Sequence, residues 1–168
     1  MTHSTMIKSL LIAATLFHLG CKERVDSAKG LPSSTTNSVE GEKDPCTFTI
    51  DGKEFSGRVS TQLFPATKEY SVLCHSTDES AKLIQFVFRD ESSARTNQEF
   101  KIVYDSVMEA EAGSEVSLSF DNVYSSNDAS GGSVRVTKTA NQNSVEFKDI
   151  ALERISKEHV QVSGKIPF

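Results

Sequence analysis

Cys21, Cys46 and Cys74, with His75 directly after the last of them, are the residues of this sequence best suited to covalent or metal-centred chemistry. A zinc site needs four converging nitrogen or sulfur ligands, usually spaced as CxxC or HxxxH, and neither spacing occurs. A Cys74 thiol activated by His75 would need both side chains on one side of the backbone. Neighbours on a strand point to opposite faces, so that arrangement fails. In an exported domain the remaining reading of Cys46 and Cys74 is a disulfide. Closing a loop of about 28 residues would stabilise the fold by roughly 3 to 4 kcal/mol on the chain-entropy model.

Beyond Cys21 the histidines are His75 and His159, and no GxSxG, HExxH, Walker loop or glycine-rich dinucleotide turn is present. The acidic pairs Asp78-Glu79 and Asp90-Glu91 sit in apparent turns, where solvated carboxylates are ordinary. The sequence therefore assigns no catalytic residue, and a hydrolase of unknown class is an alternative without a side chain to carry it. A different feature is electrostatic. From Ile102 through Ser133 there is no Lys or Arg, while Asp105, Glu109, Glu111, Glu115, Asp121 and Asp128 all fall in that stretch. Converging carboxylates such as Asp105, Glu109, Asp121 and Asp128 could take Ca2+. The oxygen-rich loop from Asp121 to Gly132 does not follow EF-hand spacing, and acidic solubilising loops explain the same residues. No cofactor other than this possible Ca2+ is implied. Sugar-stacking surfaces favour exposed Trp or Tyr; Trp is absent, and Tyr70, Tyr104 and Tyr124 are the candidates.

The chain of 168 residues has a formal net charge of -5 and 37% hydrophobic content, which suits one soluble domain with extra terminal segments. That charge removes the main attraction to phosphate, so nucleic acid is not an expected partner. From Cys46 to Phe168 apolar residues recur at period two. Phe48 and Ile50 alternate with Thr47 and Thr49, and Asp51-Gly52 then meets the requirement of a two-residue hairpin turn before Lys53-Glu54-Phe55. Further strands are expected over Tyr70 to Cys74, Leu83 to Phe88, Phe100 to Tyr104, Val116 to Phe120, Val134 to Thr139, Val145 to Leu152 and Val160 to Ile166. The apolar parity changes between Phe147 and Ile150, which a β-bulge near Lys148 or Asp149 would absorb. Asp149 to Ile155 is the one stretch that could instead be helical. The expected fold is all-β, an antiparallel β-sandwich or partly open barrel of about nine strands, since no helical crossovers are available for a parallel sheet.

Upstream, Met6-Ile7-Lys8 leads into the short apolar run Leu10 to Phe17 and then His18-Leu19-Gly20-Cys21, the order of a secretory signal. The run is about half the roughly 20 residues needed to span a bilayer. Met1 to Thr5 adds nothing to this design, so Met6 is the expected true start. Gly20-Cys21, preceded by Leu19, resembles the lipobox of bacterial lipoproteins, in which the Cys is diacylated and becomes the mature N-terminus. The resemblance implies a signal over 1–20, lipid on Cys21, and anchoring in the outer membrane of a Gram-negative-type envelope, facing the periplasm or the surface. Lys22-Glu23 resembles the charged tags of surface-directed lipoproteins. Residues 21–45, rich in Ser, Thr, Gly, Pro and charge, read as a flexible tether, and 46–168 as the domain. The segments Val134 to Lys138, Val145 to Ile150 and Val162 to Ile166 are similar to the closing hairpins of small uncharacterised bacterial lipoproteins with β-sandwich domains. The functional expectation is a non-catalytic, lipid-anchored envelope protein that presents a binding or structural surface to an envelope protein or a small ligand. A small-ligand or Ca2+-binding module using the acidic loops is the alternative.

Overall fold

The computed structural model describes residues 39–40, 45–104 and 113–168. The expected signal, Cys21 and most of the expected tether lie outside them. Among the described residues eleven strands form one sheet: β1 (Val39–Glu40), β2 (Pro45–Ile50), β3 (Lys53–Leu63), β4 (Tyr70–Ser76), β5 (Leu83–Phe88), β6 (Gln98–Val103), β7 (Glu115–Phe120), β8 (Tyr124–Ser125), β9 (Ser133–Lys138), β10 (Asn143–Arg154) and β11 (His159–Pro167). The all-β reading holds. The ladder runs β3-β2-β11-β10-β9-β6-β7-β5-β4, and β4 then returns to β3, so the pairings close into a ring. Closure satisfies strand edges that would otherwise offer unpaired N–H and C=O groups to other chains.

Local chemistry explains most elements. Asp51 and Gly52 take φ of 49° and 79°, the left-handed pair that the β2–β3 hairpin turn requires. Alternation places Phe48, Phe55, Phe86, Phe88, Phe100, Phe120 and Phe147 in the core with Val72, Ile84, Val116, Val134, Val162 and Ile166. In β10 the register shifts between Phe147 and Ile150, where Asp149 has φ 54° and is exposed with Lys148. This is the bulge that the parity change demands. Phe147 before it and Ile150 and Leu152 after it all remain buried. The stretch Asp149 to Ile155 is therefore strand and hairpin turn, and the helical alternative is wrong.

Three features differ from expectation. First, Val39–Glu40, placed in the tether, pairs antiparallel with Thr61 and Gln62 of β3, and Pro45 already belongs to β2. Second, β6 and β7 pair in parallel, matching Lys101 to Glu115 and Val103 to Ser117, although every other pairing among the described residues is antiparallel. No helical crossover was anticipated from sequence, and the connection between these strands lies mostly outside the described residues. Third, Asp90-Glu91 opens a short helical turn, α1 (Glu91–Ala94), in place of a plain loop. Asp90 Oδ1 accepts hydrogen bonds from the Ser93 backbone N–H at 2.7 Å and the Ser93 hydroxyl at 2.9 Å, which caps the turn.

Pairing registers sort the connections into two ends. The β3–β4 and β9–β10 turns, α1 and Phe168 lie at the end where Pro45 enters the sheet. The β2–β3, β4–β5, β7–β8 and β10–β11 turns lie at the opposite end.

Candidate functional site

The opposite end carries a groove of about 390 Å3, assembled from three connections far apart in sequence. Tyr104 follows β6, Val123 sits in the β7–β8 turn, and Ile155 sits in the β10–β11 turn. These three are the exposed large apolar side chains among the described residues, Ile155 being 100% exposed, and all of them line this one groove. Single exposed apolar residues are ordinary on protein surfaces; their convergence on one concavity is not.

The groove walls are pinned by hydrogen bonds. Short β8 bridges the ends of β7 and β10, pairing Tyr124 with Phe120 and Arg154, and Ser125 with Ser119 and Glu153. Fully buried Ser126 follows: its hydroxyl donates to the Val103 carbonyl at 2.6 Å and accepts from the Leu118 N–H at 2.8 Å. That fastens the loop to β6 and β7 at once. Asn127 donates from its N–H to the Ser130 hydroxyl at 2.8 Å and from Nδ2 to Glu153 Oε2 at 3.1 Å, while the Ser130 carbonyl accepts from Ala151 N–H at 2.8 Å. The Ser126, Asn127 and Glu153 side chains of the lining are thus partnered within the protein. Lys157, bonded to Glu153, holds that carboxyl below the ordinary Glu range, with lesser help from His159 and Asn127. Arg154 pairs with Glu158 at 3.3 Å.

The residues singled out from sequence fare differently. Cys46 and Cys74 form the disulfide, with a Cα–Cα distance of 6.2 Å, and both are buried. That occupies Cys74, while His75 beside it faces outward as strand alternation requires. Of the candidate cation ligands, Asp105 and Glu109 lie outside the described residues, as does Glu111. Asp121 directs Oδ2 to Lys82 Nζ at 2.8 Å and Oδ1 to the Leu83 N–H at 2.9 Å, so both oxygens already have partners within the protein. Asp128 is exposed at the tip of a turn that Asn127 closes by accepting from the Ala129 N–H. Glu115 is buried with Lys101 Nζ at 3.6 Å. Among the described residues no three His, Cys, Asp or Glu side chains stand close enough together to hold a metal. The oxygen-rich loop instead supplies a wall of the groove.

Of the three tyrosines, Tyr70 is buried and Tyr124 packs on Phe120 with ring centroids 5.8 Å apart, which leaves Tyr104 as the exposed one. Sequence reading missed Val123 and Ile155. An apolar residue between Arg154 and Lys157 in an otherwise polar turn was the available signal for Ile155.

The Lys82–Asp121 pair yields a direct test. It sits beside the Phe120 ring, with Lys82 Nζ 5.3 Å from the centroid, and it ties the β4–β5 connection to the β7–β8 turn. Both side chains are partly exposed, so most of the loss in Asp121→Ala comes from the Leu83 N–H left without its acceptor and from an alanine held at φ 50°, a left-handed conformation that Asn tolerates better. We expect destabilisation of about 1 to 2 kcal/mol in urea unfolding and a smaller loss in Asp121→Asn, which keeps an acceptor oxygen. Equal losses in the two variants would show that the pair, not the backbone contact, dominates.

The described residues thus form an all-β domain whose pairings close on themselves, with a shallow, partly apolar groove at the end away from Pro45. No family model, curated protein or solved structure matches the chain.

Proposed function

We propose that this chain is a non-catalytic, lipid-anchored protein of a Gram-negative-type cell envelope, held in the outer membrane through Cys21 and presenting the Tyr104–Val123–Ile155 groove for binding. The observation that carries the binding part of the reading is the convergence of Tyr104, Val123 and Ile155, the exposed large apolar side chains among the described residues, on that one groove. Gly20-Cys21 after a short apolar run supports lipidation, and the Cys46–Cys74 bridge is the kind of bond that persists in an oxidising compartment. Two or more acyl chains would suffice for stable anchoring, at about 0.8 kcal/mol per buried methylene. The Ca2+-binding alternative draws less support, because Asp121 is engaged by Lys82 and Leu83.

Cys21→Ser tests the anchor. We expect the variant either to leave the membrane fraction or to accumulate as an unprocessed precursor of higher mass, with the domain's melting temperature unchanged. Identical soluble fractionation and identical mass of wild type and variant would remove the anchoring reading.

A further inference from the structure

We propose that the Cys46–Cys74 bond is made by thiol–disulfide exchange with a disulfide oxidant while strands β2 to β5 stand as an open meander, before β11 docks on β2 and completes the ring. The inference rests on the bridge and not on the anchor or the groove. In the finished domain Cys46 is 1% exposed and Cys74 0%. Both belong to one core with Phe48, Val59 and Ile84 of the meander and with Phe147, Val162 and Ile166 of β10 and β11. Exchange needs a sulfur that an outside disulfide can approach and that can then carry a mixed disulfide. Neither sulfur offers that once the ring is complete.

The order of pairing supplies the opening. Strands β2, β3, β4 and β5 pair antiparallel, each with the next along the chain. Their turns are local. Asp51-Gly52 joins the first pair, and the β3–β4 turn is closed by the Phe64 N–H on the Glu69 carbonyl at 2.9 Å and the Lys68 N–H on the Phe64 carbonyl at 2.8 Å. By contrast β11 meets β2 across the length of the domain; Thr49 Oγ1, for example, donates to the Ser163 carbonyl 114 residues away. Loop-closure entropy favours the local pairs first, and a chain exported N-terminus first presents them before β11. Both cysteines lie in this early meander. Cys46 pairs with Gly57 and Cys74 with Val59, which sets both on the inward face, two strands apart, where bending along β3 brings them together.

The exchange balances as two displacements. One cysteine thiolate attacks the oxidant's disulfide, forming a mixed disulfide and expelling one oxidant thiolate. The other attacks the sulfur of the first cysteine, forming Cys46–Cys74 and expelling the second. The cysteines lose two electrons, the oxidant is reduced to two thiols, and the two cysteine protons end on them.

The test uses the full chain without lipid and oxidised glutathione as the oxidant, with Cys21 as an internal competitor. Cys21 stands about 25 residues before Cys46 and Cys74 stands 28 after it, so in urea loop closure should favour neither pairing by more than about 1.2-fold. Val162→Asp/Gly164→Val bars β11 from β2: it puts an unpaired carboxylate at a fully buried position, and a Cβ at 164 would stand 2.5 Å from the Thr47 carbonyl oxygen and 2.8 Å from Phe48 Cα. Diluted from urea into the oxidant, wild type and variant should both give Cys46–Cys74 over Cys21–Cys46 by about fivefold or more in peptide mass mapping, because the meander and not β11 selects the pair. A variant ratio equal to that in urea shows that the bond needs β11 and overturns the proposal. In native buffer, dithiothreitol should reduce the wild-type bridge about 100-fold more slowly than in urea, since exchange must wait for the ring to open. Equal rates would show the sulfurs open to exchange in the closed ring and would overturn it too. Both measurements use unlipidated chain, so the anchor stands or falls separately on the fractionation of Cys21→Ser.

Discussion

Gly57→Ala is expected to lower the melting temperature by about 10 °C or more, a loss of about 3 kcal/mol or greater in a domain of this size. Gly57 is where β3 changes partners: it is paired to Cys46 of β2 on one side and to Ser76 of β4 on the other. It faces inward between Phe55 and Val59. A Cβ built there would overlap the His75 carbonyl oxygen and lie 2.6 Å from its carbonyl carbon. Those are backbone atoms of a paired strand, so they cannot step aside as a flexible side chain would. The added methyl must push β4 off β3, opening the one pairing that closes the ring. A variant within about 2 °C of wild type would mean that the sheet relaxes at this point, and the tight corner would not be a requirement of the fold.

The reason Gly57 escaped the sequence shows which kind of information local pattern carries. Phe48 and Ile50, the Asp51-Gly52 turn and the parity change at Phe147 to Ile150 are each decided by neighbours within a few residues, and each was legible. A glycine inside a strand reads locally as a weak point; its value at position 57 comes from the His75 carbonyl, which folding alone brings there. The same limit hid the parallel β6–β7 pair and the incorporation of Val39–Glu40, because partner choice depends on strands distant in sequence. The candidate site divides in the same way. Cys46 and Cys74 were legible as a pair because their chemistry leaves few alternatives. The groove was not, since Tyr104, Val123 and Ile155 belong to three separate connections. Ile155 was further disguised by Ile150 and Leu152, with which it makes a fairly amphipathic helical pattern; in the strand those two are buried and Ile155 is beyond the last pair, in solvent.

Removing the Cys46–Cys74 bridge should cost about 3 to 4 kcal/mol by the chain-entropy estimate, a large share of the 5 to 15 kcal/mol typical of whole domains. The geometry adds a second expectation. Cys46 lies on β2 and Cys74 on β4, and β3 runs between them. In a flat sheet, strands flanking a third stand about 9.5 Å apart, twice the ordinary spacing. The two Cα atoms here are 6.2 Å apart, so the sheet must fold sharply inward along β3, and Gly57, without a side chain, occupies the inside of that corner. Bridge and glycine therefore act on one feature. With the bridge intact, an alanine at 57 cannot relieve its clash by letting β2 and β4 splay; in a Cys46→Ala/Cys74→Ala background it can. A double-mutant cycle in urea should show Gly57→Ala costing less in the unbridged protein, by about 1 kcal/mol or more. Strictly additive losses would mean that the corner is set by the core alone and that the disulfide restrains only the unfolded chain.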